Sequence, residues 1–253
     1  MKKLEMHVHT RPMSLCAQLT AEQFAERYHK CGYDAIMITN HYSRAHLEKY
    51  GVDKKDYIRA YILEYRRMKE ACAKYGIEVF LGAEVTLYNW FSRYAKRIYP
   101  DIDKIKKEYY ADYILVGVTE EFLINSPLLC DLTQPELFEL CEKNDVLLIQ
   151  AHPFRVDQGH SLKDVRYLHG IEMNACIRYN PEEEKILQTA KEHDFVVIVG
   201  NDSHHDKCYF RGAVFIPDEI HSSTELASYL REVKVPKYSL TELDPTSKYE
   251  KEQ

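Results

Sequence analysis

Short apolar runs of four or five residues recur along the chain, separated by longer stretches in which apolar positions return at helical spacing. Leu4–Val8 predicts a first strand, Ala35–Ile38 a second, Glu78–Leu81 a third, Tyr113–Val116 a fourth and Val146–Ile149 a fifth. Ile171–Met173, Phe195–Val199 and Ala213–Ile216 extend the series to six, seven and eight. Between them the polar positions carry helix punctuation. Thr20 through Gln23 reads as a capping box opening a helix that Gly32 stops. Asp53–Tyr75 reads as a long helix closed by Gly76, and Thr133 caps another with Pro135 in its tolerant first turn. Asn180-Pro181 is a further helix start, and Ser222–Glu232 forms the last helix.

Strand and helix in repeated alternation imply a parallel sheet with right-handed crossovers, open or closed into a barrel. No glycine-rich phosphate loop follows the first strand, so the closed form is favoured over a nucleotide-binding open sheet. An α/β barrel uses a length of 253 residues as one domain. Residues 1–235 are accordingly expected to form a single domain and 236–253 a polar tail lying loosely on it. The stretch between Tyr88 and Tyr110, rich in Lys, Arg and Tyr, is expected to be a surface insertion.

Composition narrows the compartment and the partner. A formal net charge of −6 argues against gripping polyanions by bulk electrostatics. The seven cysteines show no CxxC pair and no framework spacing, which implies reduced thiols and a cytoplasmic protein. No signal-like apolar region follows Lys2 and Lys3, and no run of ~18 apolar residues marks a membrane span. The 20 tyrosines are scattered and read as amphipathic packing residues.

The candidate chemistry sits where the predicted strands end. The first ends in His7-Val8-His9, the second in Thr39-Asn40-His41, the third in Gly82-Ala83-Glu84. The fifth ends in Gln150-Ala151-His152-Pro153 and the seventh in Asn201-Asp202-Ser203-His204. In a βα barrel these exits converge on one face, where active sites are built. Strand alternation puts His7 and His9 on one side. Singly, each has a bland reading: an accidental HxH, a loop histidine before proline, a cap-and-turn Asp-Ser-His, a Glu neutralising an Arg. Five strand ends all offering metal-type donors point instead to a shared divalent ion. The mixture of imidazole and carboxylate suits Zn, Mn or Fe better than Mg.

The set His7-Val8-His9-Thr10, Thr39-Asn40-His41, Glu84, His152-Pro153 and Asn201-Asp202-Ser203-His204 resembles, in order, the motifs of the PHP (polymerase and histidinol phosphatase) family. The resemblance implies a distorted (β/α)7 TIM-like barrel that holds up to three metal ions and hydrolyses phosphoesters. It implies one ion on His7, His9, Glu84 and Asp202, a second shared by Glu84 and His152, and a third on His41 and His204. Two family histidines are missing. Leu15 falls near the slot after the HxHT, and Thr119 stands where an imidazole follows the fourth strand. Two ions are therefore expected, with a weakly held third as the alternative, and Glu120 or Glu121 as a substitute oxygen donor.

The reaction expected is hydrolysis of a small phosphorylated substrate by metal-activated water, without a covalent enzyme intermediate. Arg155, Arg11 and Arg178 are the candidate phosphate clamps, since arginine binds phosphate through paired hydrogen bonds. His205 is the candidate proton donor to the leaving group, and Cys16 carries no sign of activation. Competing readings are an amidohydrolase-like hydrolase, whose usual bridging Lys has no counterpart at a strand end, and a non-catalytic metal-binding regulatory domain. A nucleic-acid-processing module is disfavoured by the acidic balance.

Overall fold

The computed structural model describes residues 1–87, 110–155, 161–175, 182–206 and 210–241. Residues 88–109 of the expected insertion, the Asn180-Pro181 helix start, Arg178 and the tail beyond residue 241 lie outside the described residues.

The strands are β1 (Lys2–Val8), β2 (Ala35–Ile38), β3 (His41–Ser43), β4 (Glu78–Leu87), β5 (Ala111–Val116), β6 (Leu147–Gln150), β7 (Gly170–Asn174), β8 (Val196–Gly200), β9 (Gly212–Ile216) and β10 (Tyr238–Leu240). The helices are α1 (Ala21–Lys30), α2 (Arg44–Tyr50), α3 (Lys54–Ala73), α4 (Glu120–Asn125), α5 (Gln134–Glu142), α6 (Glu183–His193) and α7 (Ser223–Val233). Two caps fall where expected, with reciprocal capping boxes joining Thr20 with Gln23 and Thr133 with Glu136, while Asp53, read as the first residue of the long helix, is the N-cap of α3. Gly32 and Gly76 follow their helices at φ +69° and +70°, a left-handed turn that a Cβ would strain.

The sheet runs β10-β9-β1-β2-β4-β5-β6-β7-β8, with β3 beside β4. The seven strands β1, β2 and β4 to β8 form the wall of a nearly closed barrel. Closure is made just past β8, where Ser203 bridges β1: Ser203 N donates to His7 O at 3.1 Å and His9 N donates to Ser203 O at 3.0 Å. The distortion has a visible source. The first half of β1 pairs antiparallel with β9, so β8 reaches only its far end.

Two expectations are corrected. The sheet is not wholly parallel, because β5 runs antiparallel to both β4 and β6. The segment beyond Pro236 is not wholly loose, because β10 pairs with β9. β3, α2 and α4 are short elements that no long apolar period announces.

The core is continuous from Leu4 and Met6 through Ile36, Phe80, Ile114, Ile149, Ile171 and Val197. Tyr57 and Tyr61 of α3 bury their rings and donate their hydroxyls to the backbone oxygens of His41 and Asn40, both at 2.6 Å. The tyrosines thus do pack amphipathically, and these two hold the turn that carries His41. No helix among the described residues is long and apolar enough to cross a membrane.

Candidate metal centre

β1 delivers His7 from within the strand and His9 one step past its end, both fully buried. Glu84 comes from the middle of β4, which runs on well beyond the four residues expected of it. Asp202 sits in the turn after β8 at φ +51° and His152 in the turn after β6 at φ +33°. Non-glycine residues rarely adopt such backbone, and strain of this kind persists where surrounding contacts enforce it. Gly200 is required just before that turn. A Cβ there would lie 2.4 Å from the His7 Cβ and 2.7 Å from Glu172 Oε1.

Glu84 is the hub. Its Oε1 lies 3.2 Å from His7 Nε2 and 3.4 Å from His152 Nε2, and its Oε2 lies 2.5 Å from His41 Nδ1 and 3.5 Å from His9 Nε2. Asp202 Oδ1 is 3.5 Å from His7 Nε2 and 3.4 Å from His9 Nε2. His41 and His204 face each other through their Nε2 atoms at 3.5 Å. Three overlapping groups have donor atoms close enough to share an ion: His7, His9 and Glu84; Glu84, Asp112 and His152; His9, His41 and His204.

The surroundings fix which ring nitrogen faces inward. His7 Nδ1 is 2.7 Å from Glu172 Oε1, so with a carboxylate as acceptor it carries the proton and Nε2 presents its lone pair to the centre. Ser14 Oγ donates to Asn40 Oδ1 at 2.8 Å, so it must accept from His9 Nδ1 at 3.2 Å, which again turns Nε2 inward. His204 Nδ1 lies 2.9 Å from the carbonyl oxygen of Asp202 and donates to it. His7 Nε2 and His9 Nε2 are left buried with no well-aligned hydrogen-bond partner among the described residues. A polar atom in that state costs about 1–3 kcal/mol unless something else satisfies it.

The electrostatics point the same way. Burial opposes protonation of His7, yet Glu172, Asp202 and Glu84 together raise its pKa well above the usual imidazole range. Burial works against ionisation of Glu84 and Asp202 too, but His41 and His7 hold Glu84 well below the usual carboxylate range, and His7 and His204 do so for Asp202. Burial and the charge of Glu84 push Asp112 upward. His9 is driven down by burial and by the His204 and His41 charges. Buried carboxylates crowded around inward lone pairs call for positive charge between them, which protons or divalent cations can supply. The donor set fits a cation: imidazole nitrogen and carboxylate oxygen, with orienting partners behind.

All seven residues expected to ligate metal come together. The arginines separate. Arg155 is buried and donates from Nη1 to Asp202 Oδ2 at 3.0 Å. Arg11 is exposed on the loop two residues past His9. His205 is half-buried next to His204. Arg178 lies outside the described residues. The suggested substitutes Glu120 and Glu121 are not near the cluster. They open α4, where Glu120 pairs with Arg66, while Thr119 caps the helix by accepting from Phe122 N at 3.0 Å. The oxygen donor present in space is Asp112, 3.9 Å from His152 Nε2.

Asp112, Glu172 and Glu5 were missed from sequence. Glu172 holds His7 and also accepts from His152 N at 3.0 Å. Glu5 accepts from His7 N at 2.8 Å and Asn201 N at 2.9 Å, tying β1 to the turn that carries Asp202. Burial pushes the Glu5 carboxyl up to about 7 against these bonds. All three shared one signal: a carboxylate inside or opening an apolar strand, where charge is tolerated only with partners.

A family model described as PHP domain matches residues 5–233. Among solved structures, the chain resembles a Bacteroides vulgatus two-domain protein described as containing a predicted PHP-like metal-dependent phosphoesterase. The TM-score is 0.58 at 16% identity, over 92% of this chain and 63% of that one, so this chain spans under two thirds of its length. PsfC from Pseudomonas syringae aligns with a TM-score of 0.60 at 16% identity, over 90% of this chain and 88% of that one. An amidohydrolase from Chromobacterium violaceum, with bound sulfate and no metal, aligns with a TM-score of 0.52 at 11% identity, over 90% and 96%. At such identities the likeness is one of fold. No curated protein matches the chain significantly.

Proposed function

The chain belongs to the PHP domain family, and on that premise we propose that it is a metal-dependent phosphoesterase acting on a small phosphomonoester or phosphodiester. The observation that carries this reading is the pair of buried ring nitrogens, His7 Nε2 and His9 Nε2, that have no well-aligned hydrogen-bond partner among the described residues and face Glu84 and Asp202. His7, His9, Glu84 and Asp202 would hold one ion, Glu84, Asp112 and His152 a second, and His41 and His204 a third. Divalent zinc, manganese or iron bound there would neutralise phosphate oxygens and bring the pKa of water from 15.7 to about 7.

The chain's own groups do the positioning. Glu172, Ser14 and the Asp202 carbonyl hold the imidazoles in one tautomer. Arg155 pins Asp202 and stands within reach of a substrate phosphate bound there. Arg11, on the open loop, offers a guanidinium to the same anion. His205, half-buried and next to His204 in the chain, would deliver a proton to the leaving group. The net charge of −6 favours a small substrate over a nucleic acid. The five described cysteines are free thiols, in keeping with a reducing cytoplasm.

Amide hydrolysis is the second reading, favoured by the fold likeness to the Chromobacterium amidohydrolase. Protein loaded with zinc or manganese, assayed side by side on p-nitrophenyl phosphate, a phosphoester panel and a panel of amides, separates the two. We expect phosphate release that Asp202→Ala abolishes together with bound metal. Amide cleavage without phosphate release, or full activity and metal content in Asp202→Ala, would overturn the proposal.

A further inference from the structure

The loop after β1 lacks the imidazole that the family pattern carries near Leu15, and it presents a hydroxyl to the centre instead. Ser14 N donates to Thr10 O at 2.8 Å, and in the turn this closes Ser14 is fully buried while Leu15 is left 39% exposed. Asn40, from the Thr39-Asn40-His41 motif, grips the same turn. Its Oδ1 accepts from Thr10 N at 2.8 Å, so the amide oxygen faces the loop, and its Nδ2 donates to Thr10 Oγ1 at 3.0 Å.

That orientation settles the hydroxyl. Ser14 Oγ donates its proton to Asn40 Oδ1 at 2.8 Å, which leaves two lone pairs to accept. One accepts from His9 Nδ1 at 3.2 Å and the other from His41 N at 3.0 Å. The hydroxyl is then fully used. It joins two residues assigned above to different ions, His9 through its ring and His41 through its backbone. Their rings lie against each other with centroids 4.3 Å apart. His41 is thus held at its N–H by Ser14 and at its carbonyl by the Tyr57 hydroxyl.

We propose that Ser14 is a positioning residue for two ions at once. Through His9 Nδ1 it turns Nε2 toward the ion of His7, Glu84 and Asp202. Through His41 N it fixes the backbone from which the His41 ring reaches the ion shared with His204. This rests on the metal-centre reading above. His152 takes its support elsewhere, from Glu172, which accepts from its N–H at 3.0 Å. The position of Glu84, Asp112 and His152 is therefore independent of the Ser14 hydroxyl.

NMR of the cadmium-loaded protein, with cadmium standing in for zinc, gives one resonance per bound ion. The resonance that His152→Ala removes marks the position of Glu84, Asp112 and His152. Ser14→Ala is expected to spare that resonance and to weaken cadmium binding elsewhere in the centre about 10–100-fold, the range for partners that orient a ligand. Ser14→Thr, which keeps the hydroxyl, is expected to restore binding. In the loaded wild type, nitrogen NMR is expected to find His9 on its ion through Nε2, with a proton on Nδ1. Ser14→Ala that binds every ion as the wild type does, or that weakens all positions alike, overturns the positioning role alone, and so does ligation through His9 Nδ1. Wild-type protein that binds no cadmium overturns the metal-centre reading and this one with it.

Discussion

The two ends of β5 carry opposite kinds of residue. At its start Asp112 is buried, opposite Thr86 of β4 and facing His152 and Glu84. Past its finish Gly117 turns the chain at φ +99°, Val118 is buried, Thr119 caps α4, and Glu120 pairs with Arg66 near the surface. At about 3.3 Å per residue, Val116 stands roughly 13 Å along the strand from Asp112. In a parallel strand the finish would meet the histidines. Because β5 is reversed, its entrance does so, and a search of strand exits inspects the wrong end. The lesson concerns direction: a strand's polarity decides which of its residues reach a shared site.

The difference can be pressed from either end. Asp112→Asn is expected to weaken affinity for the ion shared with Glu84 and His152 by more than about 100-fold, beyond the range typical of groups that only orient a ligand. Metal titration by calorimetry measures this, and an unchanged affinity would remove Asp112 from the site. Glu172→Gln tests the orienting tier. One amide oxygen cannot serve both His7 Nδ1 and His152 N, and an NH2 facing the His152 N–H repels it. Metal affinity should fall about 10–100-fold, with secondary structure by circular dichroism unchanged. The smallest effect belongs to the far end of β5. Thr119→Ala should cost about 1 kcal/mol of stability from the lost helix cap, or roughly 2–4 °C in thermal midpoint for a domain this size. Its metal content should match the wild type, and a loss of bound ion in this variant would mean that the finish of β5, not its start, serves the centre.

Much of this architecture was legible because it depends on local chemistry. Capping residues at Thr20 and Thr133 marked where two helices begin, and four- to five-residue apolar runs marked the strands. The seven candidate ligands were legible because imidazoles and carboxylates at strand ends have few cheap explanations. Strand direction was not legible. β4 and β5 read as apolar runs whichever way they point, and both faces of each are covered. Glu5 and Glu172 were passed over as strand interior, although a carboxylate in a buried run is itself a sign of a partner.

A metal centre of this kind requires residues scattered from His7 to His204 to surround one cluster of cations. Crystals of the zinc-loaded protein, measured for anomalous scattering at the zinc edge, test it most directly. Peaks are expected within bonding distance of Glu84, flanked by His7, His9 and Asp202 on one side and by His152 and Asp112 on the other. Peaks elsewhere on the molecule, or a zinc-loaded crystal with no peak beside Glu84, would contradict it.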